Sequence, residues 1–515
     1  MTTEGEREIA ARAAGDHEDI QALAKGGRTN FFGFLLRLAA RFPFLLIAGR
    51  LYGAEALGRF ASALVAVELA GQLCTLGQKR GLAQRLSEEE RHPANIVADA
   101  MLLSTAIAAV AGIALYLFPL PMFPSGRFTE LDRLLPLVLI PLTLTDIALS
   151  AQAYKFDIAT TVRSRSVVEP WALSILAGAL FVVVPESGLA LAYIGSIFAA
   201  AAVALLPVYR TYGRPRDWRP RPLALGRLAL GNLPLAAADA VEWGTRKLDI
   251  AILGIFASPA AVGVYYVAQQ VASLPQKLKT SFEPVLGPVI TRNLKEKNYA
   301  AIARQVCQVG FWITAAQAGI ALALGIPGEG VMGLVGPGFV SGTGALAILL
   351  AAEVAAATAV VSEAALIYVK RIQNLWVSLA TIALQAAVSV ALVMAVEAAP
   401  GWRLPFGLRF PAGRVDYYMA AAVAAGLLLA LAFASLVKSR LLARFLGQSI
   451  NNWRWPLVWA AAPAVVVGWL VTRFLPEWLE LLLGIPAILG VYCWVIWHKG
   501  FGPEDRVLFR KNVGG

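Results

Sequence analysis

The sequence is short of charge, of histidine and of cysteine. Acids and bases make up 15% of its 515 residues, where soluble domains hold about a quarter. Three histidines, His17, His92 and His498, are far apart, so no His/Glu pairing outlines a metal site. A membrane acyltransferase also lacks its expected buried base. Cys74, Cys307 and Cys493 each fall in an apolar run, which excludes a disulfide framework. No glycine-rich loop closes on Gly-Lys-Ser/Thr, so no nucleotide site is evident and no cofactor is expected. The longest outer loop expected, residues 397–415, is too small for a polymerase or ligase acceptor site. A transporter is therefore expected rather than an enzyme. Residues 1–28 hold six acids and four bases and no apolar core. They read as a polar cytoplasmic tail, not a signal peptide.

Apolar residues are abundant, at 58%. A bilayer-spanning helix takes about 20 of them, so fourteen helices need roughly 280 residues. Fourteen such runs can be drawn: 30–51, 59–79, 95–118, 134–152, 166–184, 189–209, 232–256, 262–287, 304–325, 342–369, 374–396, 416–437, 456–474 and 478–498. With a cytoplasmic N-terminus, 31 of the 45 bases fall in inner segments, 8 in outer ones and 6 within spans. That asymmetry predicts both termini inside and an even number of spans. The net charge of +12 thus belongs to short membrane-flanking loops and does not suggest nucleic acid. Residues 325–344, with eight glycines, read as a flexible outer connection. The Arg- and Pro-rich stretch 210–231 reads as a linker between halves. The expected organisation is an all-α polytopic protein. It runs as a tail (1–29), a six-helix bundle (30–209), the linker (210–231) and a second six-helix bundle (232–437). Two further helices (438–498) and a cytoplasmic tail (499–515) complete it.

Residues 41–63 align with 246–268 at a constant offset of 205. Arg41 pairs with Arg246, Gly49 with Gly254, Gly58 with Gly263, Phe60 with Tyr265 and Ala63 with Ala268. The match lies at the start of each half, as parallel repeats in transporters do. Further motifs carry more. They are Arg246-x-x-Asp249 running to Gly254, Val-Gly263-x-Tyr265-x-x-Ala268, and the prolines Pro284 and Pro288. Arg50-Leu-Tyr-Gly with Leu57-Gly-x-Phe60 and the closing Gly502-Pro-Glu-Asp-Arg506 add to them. Together they resemble the bacterial polysaccharide flippases, the O-antigen-type translocases of lipid-linked oligosaccharides. That superfamily also holds multidrug extrusion exporters and lipid II flippases.

The resemblance implies alternating access, with spans 1, 2, 7 and 8 around a central cavity in the bacterial inner membrane. The implied substrate is an undecaprenyl-diphosphate-linked oligosaccharide. Membrane lipids, a proton or sodium gradient and polysaccharide polymerase machinery are the other implied partners. Charges within spans are costly and mark function by default. Asp239, Glu242, Arg246 and Asp249 share one face of span 7. Arg37 and Arg41 share one face of span 1, and Arg41 lies about 16 Å deep at the usual rise per residue. With Lys277 of span 8, Arg37, Arg41 and Arg246 suit a diphosphate, which guanidinium groups grip bidentately. Glu68 is the alternative partner for Arg41. Glu353, mid-span, is a candidate coupling acid or the partner of a span 7 base. Two transport readings compete: a multidrug/cation antiporter using Glu242, Asp249 and Glu353, and a lipid II-type flippase.

Overall fold

A computed structural model describes residues 42–280, 283–398, 415–503 and 505–506; the side chains of Arg80, Ile158, Ala238, Glu242, residues 277–280, 283–285 and Pro288 lie outside that description. The described chain is helical, without strands. The described residues up to 267, with 395–398 and 415–420, form one compact unit, and the rest form a second.

The first unit opens with residues 42–52, a helix that ends in a π turn. Gly53 follows at φ +78°, where a side chain would be strained, and α1 (Gly53–Cys74) begins. Next come α2 (Gln78–Glu88), α3 (Pro93–Leu117), α4 (Leu139–Tyr154), α5 (Glu169–Val183) and α6 (Gly188–Tyr212). The unit's longest helix is α7 (Pro222–Phe256), and α8 (Pro259–Thr280) starts within the unit. Local signals set these ends. The His92 ring accepts from the Ala94 N–H before α3, and Pro93 and Pro222 stand at helix starts, where no N–H is needed. Gly213 and its φ of +72° close α6. The core packs Leu82, Ile96, Val97, Ile147 and Tyr212. Arg165 bridges Asp146 and Glu169.

The second unit holds α9 (Glu283–Lys295), α10 (Tyr299–Gly325), α11 (Gly328–Val335), α12 (Thr343–Val369) and most of α13 (Arg371–Ala398). It also holds the bulk of α14 (Val415–Leu446), then α15 (Pro456–Phe474) and α16 (Ile485–Val495). The Asn298 side chain caps α10 through the Ala301 N–H at 3.2 Å. Ile302, Val306, Phe311, Trp312, Leu457 and Tyr492 lie in its core. Asp505 is clamped there: Arg454 lies at 2.7 Å, and the Trp312 indole and Gln308 amide donate at 2.9 and 3.3 Å. The Arg454 guanidinium sits 4.0 Å above the Phe311 ring. Lys438 donates to Glu363 and to Ser378. Outward-facing residues are apolar in both units, with Val182 83% and Trp469 61% exposed, as lipid contact requires.

Eleven helical segments among the described residues are long and apolar enough to cross a membrane. The chain is a multi-pass membrane protein. Two features separate eleven from the expected fourteen. The first expected span, 30–51, lies outside the described residues up to 41, and its remainder is counted with the second as Phe42–Cys74. The seventh and eighth are present as α7 and α8 but are polar: Asp239 to Asp249 charge one, and Gln269, Gln270 and Gln276 the other. The expected flexible connection at 325–344 is a correction. It forms α11 and a 3-10 turn, Pro337–Gly342. Val331, Met332, Val335 and Phe339 are buried, a helical period hidden among the glycines.

Candidate functional site

α7 carries Asp239, Arg246, Lys247 and Asp249 within a helix of membrane-spanning length. Its neighbours in the first unit include α1, α2, α3 and α8. A tight turn between α1 and α2 aims Lys79 back along the chain. Leu76 and Gly77 both take positive φ there, at 46° and 62°. A Cβ on Gly77 would lie 2.2 Å from that of Leu235, so α7 presses directly on the turn. Lys79 donates to Gln72 and stands 3.6 Å from the fully buried Asp239 carboxylate.

Farther along α7, Lys247 lies 3.9 Å from Glu68 of α1. Asp249, 1% exposed, accepts the Tyr265 hydroxyl of α8 at 2.8 Å. Ten residues from Asp239 to Asp249 span about 15 Å along the helix. The two acids are therefore held by groups on other helices. Arg246 is exposed. Arg37 and Arg41 lie outside the described residues, as do the side chains of Glu242 and Lys277. Glu353 is half-buried on α12 in the second unit. Lys79, Lys247 and Gln72 were not anticipated as contacts. Nothing local in the sequence signals them, because Lys79 and Asp239 are 160 positions apart.

At the other end of α1 the repeat becomes physical. A Cβ on Gly58 would lie 1.6 Å from the Pro259 carbonyl oxygen, and one on Gly263 would lie 2.0 Å from that of Ala54. The offset of 205 relates Gly58 to Gly263 and Ala54 to Pro259. The contact is reciprocal, the pattern that a two-fold relation produces. Backbones meet closely there because glycine leaves no side chain between them. Among the described residues no group of three or more His, Cys, Asp or Glu could hold a metal ion.

A family described as "Polysaccharide biosynthesis protein" matches residues 47–315, more than half of the chain. The chain belongs to this family. The match takes in Gly58, Glu68, Lys79, Asp239, Asp249 and Gly263, and it bears out the resemblance carried by the motifs. A search of curated proteins gives no match. Among solved structures, one described as "Lipid II flippase MurJ, inward closed conformation" is similar over 91% of this chain and 98% of its own. It is 12% identical, with a TM-score of 0.66. An inward-facing "multidrug resistance MATE family transporter of the MOP superfamily" covers 80% of this chain and 98% of its own, at 13% identity and TM-score 0.59. A "MATE in complex with MaD5" covers 84% and 96%, at 13% identity and TM-score 0.55. These likenesses show that the family member shares the fold of those transporters.

Proposed function

We propose that the protein is a flippase for polyprenyl-diphosphate-linked oligosaccharide in the bacterial inner membrane, working by alternating access with both termini cytoplasmic. The observation that carries the reading is the family match over α1–α8, the region containing the charged face of α7. The lipid II flippase among the similar folds supports a lipid-linked substrate. Arg246, exposed on α7, would join Arg37, Arg41 and Lys277 to hold the diphosphate. The sugar would cross through the polar interior while the polyprenyl chain stays in lipid. An ion gradient or consumption on the outer side would supply direction, with Glu353 the candidate acid for proton or sodium coupling. Asp239 and Asp249 are occupied by Lys79 and Tyr265, which weighs against an acid-lined cavity for cationic drugs.

The test is the leaflet distribution of lipid-linked oligosaccharide in cells lacking the protein. Accumulation on the cytoplasmic face with loss of surface polysaccharide is the expected result. Normal glycolipid turnover would overturn the proposal. Arg41→Ala and Arg246→Ala should each abolish transport without preventing insertion, and lysine should restore only part of it, because it lacks the planar fork. Normal transport by both alanine variants would rule out the anion grip.

A further inference from the structure

The segment from Arg210 to Arg227 carries six arginines, at 210, 214, 216, 219, 221 and 227, against one acid, Asp217. Orientation of neighbouring spans explains a charge excess, but it does not call for a fixed loop shape. This loop is fixed. The Asn95 side chain donates to the Arg216 carbonyl at 2.8 Å and accepts from the Arg216 N–H at 3.0 Å. The Trp218 indole donates to Asp99 at 2.8 Å, and Arg91 neutralises the same carboxylate. Upstream, the Tyr212 hydroxyl donates to the Ala151 carbonyl at 2.6 Å.

All six arginines are exposed, and none makes an ion pair with another described residue. Arg214 alone is engaged, with the Tyr209 hydroxyl and ring. Asp99, the acid that the loop does touch, is already paired with Arg91. Below the loop, α7 continues with Leu223, Leu230 and Leu233 exposed by 81%, 70% and 51%. Their spacings of seven and three put them on one face. At 35 residues, α7 is about 52 Å long, well beyond the roughly 30 Å apolar layer. Part of it therefore stands at the interface.

We infer that the pinned 210–227 segment is a binding ledge for the phosphate head groups of anionic phospholipids, with the leucine edge of α7 in the acyl layer beneath. Unpaired guanidiniums outside and an apolar edge below match an anionic leaflet in charge and in polarity. The inference rests on the membrane spans, not on the flippase reading, and its test involves no transport.

The full chain, purified in detergent, would be titrated with phosphatidylglycerol and with phosphatidylcholine of the same acyl chains. Bound lipid would be counted by native mass spectrometry. Phosphatidylglycerol should bind more tightly. Each arginine near the surface contributes about fivefold, so the combined Arg216→Gln, Arg219→Gln, Arg221→Gln variant should lose tenfold or more. The matching triple lysine variant should keep most of the binding. Arg473→Gln, remote in sequence and exposed, should change nothing. Asn95→Ala keeps every charge but frees the loop, and should weaken binding less than the triple glutamine variant. Equal binding of the two lipids, or an unchanged triple glutamine variant, would overturn the inference. So would displacement of phosphatidylglycerol by an equal concentration of inorganic diphosphate, which would indicate a site for soluble phosphate.

Discussion

Adding one methyl group at Gly58 should separate α1 from α8. The new Cβ would lie 1.6 Å from the Pro259 carbonyl oxygen. Backbone cannot rotate out of the way as a side chain can, so the helices must part by more than 1 Å. A gap of that size forfeits up to half of the dispersion energy of the atoms it separates. Gly58→Ala should therefore cost about 3 kcal/mol, the upper part of the range for overpacking. Gly263→Ala, 2.0 Å from the Ala54 carbonyl, should cost about the same. The informative variant is the double. Both methyl groups demand the same displacement, so once the first has parted the helices the second enters space already opened. The double variant should fall far short of the sum, with a coupling of 1 kcal/mol or more between neighbouring sites. Thermal unfolding of the detergent-solubilised protein, followed by size-exclusion fluorescence, measures all four species. Additive costs would refute the backbone-to-backbone contact, and with it the reciprocal packing of the two repeats.

Other expectations follow from single contacts. Tyr265→Phe removes the hydroxyl that donates to the buried Asp249 carboxylate and should cost about 1–2 kcal/mol, whereas Tyr193→Phe, which removes a hydroxyl elsewhere in the unit, should cost less in the same thermal assay. Asp505→Ala strips Arg454, Trp312 and Gln308 of a shared acceptor and should cost about 2 kcal/mol; a wild-type melting temperature would contradict the clamp. Asp157 lies outside the spans, and bonds from the Thr160 hydroxyl and N–H hold its carboxyl below the usual range. Its folded value is depressed, so its contribution is present above the ordinary carboxylate range and lost as pH falls through the depressed value. The acid limb of the melting profile should flatten in Asp157→Asn, and an identical limb would show that the cap does not act.

Most of the helices were legible because a bilayer imposes a length and a polarity that a single sequence can display. α3, α5, α6, α12 and α15 each answer to an apolar run read from composition alone. α7 and α8 also answer to apolar runs, 232–256 and 262–287, although their charges and glutamines leave them short of the apolarity of the other spans. The start of α7 at Pro222 was hidden because residues 222–231 alternate leucine with glycine and arginine. α11 was missed for a related reason: eight glycines argued for a loop, while burial of Val331, Met332 and Val335 against neighbouring helices outweighed their cost. In the candidate site, the sequence showed which residues were too polar for lipid but not what they would meet. Asp239 is held by Lys79 and Glu68 lies by Lys247. Such pairings depend on how distant helices pack, and one sequence does not encode that register locally.

The Asp505 clamp also bears on how the protein is made. Among the described residues every apolar span is complete, or within one residue of complete, at Lys499, the last of them ending at Gly500. A chain interrupted at Lys499 would present each of them to the insertion machinery and pass as fully inserted. Trp312 and Gln308, 193 and 197 positions before their acceptor, would still wait with unfilled donors in the second unit. Frameshifts between residues 500 and 505 should therefore yield protein that reaches the membrane and is then removed by quality-control proteases, and a fusion partner is better attached beyond Arg506 than in place of the segment that holds it.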